Sequence, residues 1–278
     1  MSLFIASINS GSNGNCYYVG NNEEAVLIDA GLSCRETEKR MARIGLCMSK
    51  VKAIFISHEH SDHIQGLTVL SKKYDLPVYI TPRTTFCGRQ FLQQQLIYPF
   101  VAYKPTNIGN ISVTAFPKFH DAAEPHSFVV ACNGVKVAVI TDIGVVCDHV
   151  IRNFADCHAA FLEANYDDEL LANGRYPIHL KRRISGERGH LSNKQALELF
   201  IKHKPAHMSH LLLSHLSKDN NNPDLVKQLF DQHAGKTNIV VASRFFESEV
   251  YHITRPGQDT IKIPRISAAP AVVQYSLF

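Results

Sequence analysis

The stretch Ser57-His58-Glu59-His60-Ser61-Asp62-His63 decides how this sequence folds and which chemistry it supports. An apolar run typical of a buried strand, Val51–Ile56, comes before it, and an apolar-periodic segment that predicts a helix begins at Ile64. The stretch is therefore a strand-to-helix turn at the edge of a sheet, where side chains converge. Three imidazoles and the carboxylate of Asp62 at such a turn indicate a metal site, because histidine is the commonest metal ligand in proteins. They supply only part of a site, so other strands must provide further ligands.

Three other potential ligands each follow a strand-like run. They are His120 after Ile111–Pro117, Asp142 after Val135–Thr141, and His215 after Leu211–Ser214. A single His or Asp in such a position is more often a turn or cap residue. Their recurrence after the first stretch instead favours one site built across one edge of a sheet.

The composition fits a folded chain of one domain or two intimate halves, with 278 residues of which 45% are apolar and 19% charged. No apolar run approaches the ~20 residues that span a bilayer, and the first residues do not resemble a signal peptide. The seven cysteines are scattered without a CxxC pair, which predicts reduced thiols in a cytoplasm. The net charge of +4 is too mild to indicate nucleic-acid binding by itself.

Strand-like runs separated by helices predict an α/β fold in which helices lie outside two packed sheets. Eleven strands are expected, at Leu3–Asn9, Tyr17–Gly20, Ala25–Asp29, Val51–Ser57, Val78–Thr81, Ile111–Pro117, Ser127–Cys132, Val135–Thr141, Leu211–Ser214, Ile239–Ala242 and Glu249–Ile253. Three helices have recognisable starts, at the capping residues Ser33 and Ser192 and at Asn222-Pro223. We expect residues 1–254 to form the hydrolase domain and residues 255–278, which contain several prolines, to form a tail.

The potential ligands resemble, in order and spacing, those of the metallo-β-lactamase superfamily. Asp29, in Leu27–Gly31, resembles the superfamily's structural aspartate, which supports the ligands from behind. Other stretches resemble the YycJ/WalJ (VicX) family of bacterial exonuclease-like proteins, among them Ser10–Asn15, His120–Ala123, Thr141–Gly144, Leu180–Ile184 and Gly189–Asn193. The resemblance runs from about residue 3 to about residue 253 and implies an αββα four-layer sandwich.

The resemblance also implies two divalent metal ions. One ion would be bound by His58, His60 and His120, the other by Asp62, His63 and His215, and both by the bridging Asp142. Ligands rich in imidazole suit Zn²⁺, and Mn²⁺ is the alternative because water and phosphate add oxygen donors. Two such ions activate a bridging hydroxide near neutral pH, and Asp62 is counted among the catalytic residues on this basis.

A phosphodiester is the expected substrate, because its cleavage needs a proton donor for the leaving group and the sequence offers one. His190 resembles the extra histidine of the nuclease branch of the superfamily, and we expect it to be the general acid. Ser192 has two interpretations. It caps the helix Asn193–His203, and the N–H groups at that helix end could also hold a phosphate.

Six potential cations lie within fourteen residues directly before His190, namely Arg175, His179, Lys181, Arg182, Arg183 and Arg188. Such a run is often only a solvated surface. Its position beside His190 favours contacts to phosphates, and we expect them from Lys181, Arg182, Arg183 and Arg188. The expected partner is nucleic acid, DNA rather than RNA, and no motif indicates that base sequence is read.

The last five residues, Gln274-Tyr275-Ser276-Leu277-Phe278, resemble the peptide by which bacterial polymerases and repair proteins bind the replication sliding clamp. Leu277 and Phe278 would fill an apolar pocket while the Gln274 amide fixes the register. The alternative is that Val272–Phe278 forms a final strand packed on the protein itself.

Other functions would use the same metals. A glyoxalase- or lactamase-like hydrolase of thioesters, esters or lactams needs neither His190 nor the basic run. An RNA-processing nuclease is a further alternative, although members with a large inserted domain need more chain than lies between Asp142 and His215. A metal-stabilised binding module is the non-enzymatic alternative.

Overall fold

A computed structural model describes residues 2–89, 92–255 and 257 of the chain. The strands are β1 (Leu3–Asn9), β2 (Cys16–Gly20), β3 (Ala25–Ile28), β4 (Val51–Phe55), β5 (Val78–Tyr79), β6 (Ile97–Tyr98), β7 (Thr106–Ile108), β8 (Ile111–Pro117), β9 (His126–Cys132), β10 (Val135–Ile140), β11 (Ala159–Glu163), β12 (His210–Ser214), β13 (Asn238–Val241) and β14 (Tyr251–Ile253). The helices are α1 (Cys34–Arg43), α2 (Ser61–Ile64), α3 (Leu67–Tyr74), α4 (Pro82–Gly88), α5 (Asp148–Phe154), α6 (Asp168–Asn173), α7 (Ile178–Ile184), α8 (Asn193–His203) and α9 (Pro223–Asp231).

The strands form two mixed seven-stranded sheets. The first has the order β14-β1-β2-β3-β4-β5-β6 and the second the order β13-β12-β11-β10-β9-β8-β7. Strands β3 to β6 are parallel to one another, and so are β10 to β13. The carboxyl ends of parallel strands lie at the same edge of a sheet, so the residues that follow β3, β4, β10, β11 and β12 can meet there.

Three separate apolar cores make the fold four layers thick. The core between the sheets includes Phe55 from β4 and Phe128 from β9, whose rings are 5.8 Å apart between centroids. A second core joins the outer face of the first sheet to α1 and α3 through Met41 and Leu67. A third joins the outer face of the second sheet to α5, α8 and α9 through residues such as Phe200. The expected αββα sandwich is therefore confirmed.

The helix starts expected from the sequence are also present. The hydroxyl of Ser33 accepts a hydrogen bond from the amide of Glu36, and Asn222 caps α9 in the same manner. Ser192 and Gln195 form a complete capping box at α8. All eleven expected strands are found, with ends that differ by two residues or fewer. Strands β6, β7 and β11 were not expected.

Other expectations meet the structure only in part. Within the described residues, no helix is long and apolar enough to cross a membrane. All seven cysteines lie in this part of the chain, and each is a free thiol there. Gln274, Leu277 and Phe278 lie outside the described residues, so clamp binding and the packed-strand alternative both remain predictions. The division into a domain of residues 1–254 and a tail likewise remains a prediction.

Candidate metal centre

Three residues of the candidate site have left-handed backbone where their strands end. Asp29, Asp142 and His215 have φ values of 64°, 55° and 57° and follow β3, β10 and β12. This conformation is uncommon in residues other than glycine and persists only where the surrounding structure holds it. Such strain is concentrated at functional sites, and here it occurs at three of the residues that the sequence singled out.

Asp29 holds the His-rich turn in place, as expected for a supporting residue. Its fully buried carboxylate accepts hydrogen bonds from the amide of Ser57 at 2.8 Å and from the Ser57 hydroxyl at 2.9 Å. The same carboxylate lies 2.7 Å from Nδ1 of His63. Asp29 therefore fixes both the start of the turn and the orientation of the His63 ring.

The nitrogens of His58, His60 and His120 converge on one point. Nδ1 of His60 lies 3.1 Å from Nε2 of His58 and 3.3 Å from Nε2 of His120. The ligand atoms of the three rings all lie within 4.8 Å of one another, close enough to hold one metal ion together. These are the three histidines that the sequence assigned to one ion.

A second group consists of Asp62, His63 and His215. One oxygen of Asp62 lies 3.6 Å from Nε2 of His63 and 3.5 Å from Nε2 of His215. Asp142 stands between the two groups, because Oδ2 is 3.2 Å from Nε2 of His63 and Oδ1 is 3.9 Å from Nε2 of His120. The structure thus brings together all seven residues that the resemblance assigned to metal ions.

The contacts of the imidazole rings with protein oxygens are those expected around bound metal ions. Ring atoms Nδ1 of four histidines lie within 3.0 Å of a protein oxygen: His58 at Ser57 Oγ, His63 at Asp29 Oδ2, His120 at the Gly189 carbonyl and His215 at Glu163 Oε1. This arrangement leaves Nε2 of each ring for a metal and is usual around metal-binding histidines.

Two buried atoms of the site also lack a partner. Asp142 Oδ2 and His215 Nε2 make no hydrogen bond within the described part of the chain, although Asp142 Oδ2 is close to His63. Buried polar atoms are nearly always paired, so such orphans need an explanation. Metal ions held between these residues would supply the missing partners.

The charges of the site depend on burial and on its carboxylates. Burial lowers the pKa of His58 well below its usual value. Burial acts in the same direction on His63, but the carboxylates of Asp142, Asp29 and Asp62 outweigh it and raise its pKa to about 10. His63 therefore carries a proton when no metal is bound, and metal binding there would release it.

Glu163, which sequence reasoning missed, lies at the centre of the site at the end of β11. Its fully buried Oε1 accepts hydrogen bonds from Nδ1 of His190 at 2.8 Å and of His215 at 2.9 Å, and Oε2 accepts one from the amide of Ile143 at 2.7 Å. Burial raises its pKa, but His190 and His215 lower it to about 2, so the group is ionised. The signal was the run Ala159–Glu163, an apolar strand that ends in a carboxylate.

Two buried asparagines were also missed as parts of the site. The Asn15 amide donates to Asp62 Oδ2 at 3.1 Å and lies 3.1 Å from Nε2 of His63. The Asn165 amide donates to the backbone carbonyl of His215 at 2.7 Å. Asn15 belongs to the stretch Ser10–Asn15, which the sequence marks only as part of the family resemblance. Its contacts with Asp62 and His63 could not be predicted from the sequence.

A cavity of about 220 Å³ opens beside the cluster, and both His190 and His215 line it. Arg183 lines it too, and its Nε donates to Asp121 at 2.6 Å. Lys181 instead donates to the carbonyl of Ala172 at 2.6 Å. Lys181, Arg182 and Arg183 belong to α7, which buries none of its residues. Of the four cations expected to contact phosphate, Arg183 alone is among the residues described as lining the cavity.

Ser192 is the cap of α8 and has no surface for a phosphate. The residue is 2% exposed, its hydroxyl accepts from the amide of Gln195, and its own N–H donates to the side chain of Gln195. The next amide, of Asn193, donates to the carbonyl of Tyr166 at 2.7 Å. The capping interpretation matches the structure, and the hydroxyl of Ser192 and the amides of Ser192, Asn193 and Gln195 are all bonded within the protein.

Comparison with known proteins places this arrangement in a family. The β-lactamase superfamily domain model matches residues 24–215. The chain is 39% identical over 237 residues to exodeoxyribonuclease YycJ of Bacillus anthracis, covering 84% of this chain and 89% of that protein. It is 32% identical over 243 residues to exodeoxyribonuclease WalJ of Streptococcus pneumoniae, covering 85% and 90%. The metallo-β-lactamase fold protein YhfI from Bacillus subtilis shares the fold, with a TM-score of 0.70, 15% identity and coverage of 91% and 100%.

Fold and site together define a metal-dependent hydrolase. The chain belongs to the β-lactamase superfamily and, within it, to the family of the YycJ and WalJ proteins.

Proposed function

We propose that this protein is a DNA exonuclease that cleaves phosphodiesters with two divalent metal ions. The observation that carries the proposal is the contact of 2.8 Å between Oε1 of the buried Glu163 and Nδ1 of His190, which lines a cavity beside the candidate ligands. A thioesterase or lactamase does not need a second buried carboxylate and histidine beside its metals. The similarity to proteins named exodeoxyribonuclease supports DNA as the substrate.

The metal ions are proposed to occupy two adjoining positions. His58, His60 and His120 would hold one ion, Asp62, His63 and His215 would hold the other, and Asp142 would contact both. Ions held there supply charge for the phosphate and a water molecule activated at neutral pH. Imidazole ligands favour Zn²⁺, and the carboxylates Asp62 and Asp142 also permit Mn²⁺.

His190 is proposed to donate the proton that the leaving oxygen needs. Its Nδ1 is bonded to Glu163, so Nε2 is the ring atom left for the substrate. The bond keeps Nδ1 as a hydrogen-bond donor and sets the direction of the ring, so a proton carried on Nε2 is the one that can pass to the leaving oxygen. Proton donation by a positioned histidine contributes about 10²–10⁴-fold to the rate.

The cations of α7, together with Arg188 beyond its end, are proposed to bind the nucleic-acid strand. Arg183 is placed to meet a phosphate at the cavity, and its bond to Asp121 keeps the guanidinium there. Lys181, Arg182 and Arg188 would add contacts to phosphates further along, which depend on charge and not on base sequence.

Two substrate assays test this function. Purified protein with Mn²⁺ or Zn²⁺ is incubated with end-labelled single- and double-stranded DNA and RNA, and product lengths are followed over time. We expect progressive shortening of DNA from an end and hydrolysis of bis-p-nitrophenyl phosphate. Turnover of a thioester with no cleavage of any diester would favour the glyoxalase-like alternative, and cleavage of RNA alone would favour the RNA-processing alternative.

Two further parts of the proposal rest on the sequence. Gln274, Leu277 and Phe278 would bind the replication sliding clamp, which would concentrate the enzyme on DNA without base recognition. A fluorescent peptide of the last ten residues should then bind a bacterial clamp with roughly micromolar affinity, and Leu277→Ala with Phe278→Ala should abolish binding. No binding at high clamp concentration would refute this part. The free thiols fit a cytoplasmic location.

A further inference from the structure

Two phenylalanines on the segment between β13 and β14 have solvent-exposed side chains. Phe245 is 61% exposed and Phe246 is 65% exposed, and their ring centroids are 6.1 Å apart. Many of the other aromatic rings lie in one of the three cores. Neighbouring exposed rings on a folded surface commonly mark a place where something binds.

The backbone of this segment is held on both sides of the rings. The carbonyl of Ser243 accepts a hydrogen bond from the amide of Ser10 at 3.1 Å, and its hydroxyl accepts from the amides of Phe245 and Phe246 at 3.0 and 3.4 Å. Beyond the rings, Glu247 accepts two hydrogen bonds from Arg43 at 2.7 and 2.6 Å. The exposed rings are therefore presented by a fixed turn.

Arg244 connects this turn to the cavity of the metal centre. Its carbonyl accepts from the Asn13 amide at 2.8 Å, and its Nη2 lies 3.5 Å from the hydroxyl of Ser12, which lines the cavity. The guanidinium also acts on Tyr176, on the same cavity wall, where its charge opposes the rise in the tyrosine pKa that burial and Asp219 cause. Arg244 thus lies beside a residue of the cavity and directly precedes the two exposed rings in the chain.

One nitrogen of this guanidinium has no partner. Arg244 Nη1 is buried and makes no hydrogen bond within the described residues. Leaving a buried donor unpaired is costly, and an anion is the partner that a guanidinium binds best. A phosphate that arrives with the substrate would supply such a partner, because Arg244 as a whole is only partly buried.

We propose that Arg244, Phe245 and Phe246 form a subsite for a single-stranded stretch of the nucleic-acid substrate. Arg244 binds a phosphate next to the one that is cleaved, and the rings of Phe245 and Phe246 stack on the bases beyond it. The subsite rests on the proposed nuclease function and adds to it where the strand leaves the cavity.

The combination of groups favours a nucleic-acid strand over a protein partner. Aromatic faces beside a cation are the two components of single-strand binding sites, because every base offers a stacking face and every nucleotide a phosphate. Ser12 and His190 line the same cavity, and Ser12 lies next to Arg244. A nucleic-acid strand with its scissile phosphate at His190 would therefore extend past Ser12 towards the rings. A partner protein would not need a binding surface that adjoins the catalytic cavity, whereas the substrate does.

Binding of a labelled oligonucleotide by the full-length, metal-loaded protein tests the subsite. The probe is a fluorescein-labelled 15-nucleotide single strand with phosphorothioate linkages to slow cleavage, followed by anisotropy. We expect Phe245→Ala with Phe246→Ala to weaken binding at least tenfold, the size usual for loss of base stacking, and Arg244→Ala to weaken it and lower its salt dependence. Phe86→Ala, at a ring 84% exposed on α4, is the control and should leave binding unchanged.

An abasic strand of the same length separates stacking from other effects. Wild-type protein should bind it more weakly than the normal strand, whereas the double phenylalanine variant should bind both alike. Equal binding of the normal strand by wild type and both variants, with DNA cleavage intact, would overturn the subsite alone. Failure of the wild type to bind or cleave any strand, or any diester, would overturn the proposed function. A dimer in ultracentrifugation that the phenylalanine substitutions dissolve would assign the rings to a second copy and also overturn the subsite.

Discussion

Oε1 of Glu163 lies 2.8 Å from Nδ1 of His190, and the carboxylate that makes this contact is fully buried. The same oxygen lies 2.9 Å from Nδ1 of His215. One carboxylate thus orients both the proposed proton donor and a proposed metal ligand. A change at Glu163 can act through His190, through His215 and its proposed ion, or through both, and the first two predictions separate these routes.

Glu163→Gln keeps the shape of the side chain and removes its charge. We expect turnover of oligonucleotides to fall by about 10²–10⁴-fold, because His190 loses the negatively charged partner that orients its ring for proton donation. The variant is combined with His190→Ala, and the double variant should be little worse than His190→Ala alone, since both act on one step. Glu198→Gln, on the exposed surface of α8, is the control. Additive losses would show that Glu163 acts independently of His190.

His190→Ala should retain the bound metal and lose on the order of 10²–10⁴-fold in turnover of DNA. Bis-p-nitrophenyl phosphate has a leaving group that needs no proton, so its turnover should fall much less. Elemental analysis and steady-state rates on both substrates measure this, with the exposed His233→Ala as control. An equal loss on both substrates would mean that His190 positions the phosphate and does not donate the proton.

Asp142→Ala removes the residue that contacts both proposed ions. Bound metal should drop from about two ions towards one or none, and activity should be lost. Asp156→Ala, whose side chain is 62% exposed and pairs with Lys136, should change neither. Two ions in the Asp142 variant by elemental analysis would refute the bridging role.

Replacing Lys181, Arg182 and Arg183 by Ala should weaken polynucleotide binding and flatten its dependence on salt. Each phosphate that the protein no longer binds lowers the slope of log K against log salt by roughly 0.7 on a single strand. The control removes three exposed lysines elsewhere: Lys202, Lys227 and Lys236. Hydrolysis of a small diester should fall much less, because such a substrate would lose only the contact with Arg183 at the cavity, and if it falls as far as DNA binding the run is structural.

Ser192→Ala should destabilise the protein by ~0.5–2 kcal/mol in urea unfolding, because α8 loses its cap. Affinity for DNA should stay the same, since the hydroxyl and its neighbouring amides are used within the protein. Asn222→Ala, which removes the cap of α9, is the matched control and should give a similar loss of stability. Weaker DNA binding by the Ser192 variant alone would restore the phosphate interpretation.

The fold was predictable from the sequence because its signals are local. Alternating or continuous apolar runs marked strands such as Leu3–Asn9 and Ile111–Pro117 to the residue, and Ser192 with Gln195 marked the start of α8. Seven potential ligands could be named because they follow strands whose carboxyl ends share an edge. The position of these residues after strand-like runs can be read directly from the sequence.

Glu163 and Arg244 could not be assigned a role in this way. The strand Ala159–Glu163 has only four consecutive apolar residues before Glu163, a run that could equally belong to a helix. The partners of Glu163 lie 27 and 52 residues further along the chain, so its role depends on packing. Arg244 meets Ser12 across 232 residues. Such contacts appear only when the two sheets are placed together.

The candidate ligands come from both sheets, with His58 to His63 following β4 of the first and Asp142 and His215 following β10 and β12 of the second. An ion bound there is a cross-link between the two halves of the sandwich. Because the unfolded chain does not assemble these ligands, the binding free energy of the ions adds to the free energy of unfolding. The lifetime of the folded enzyme in a cell is thereby coupled to the concentration of free metal around it.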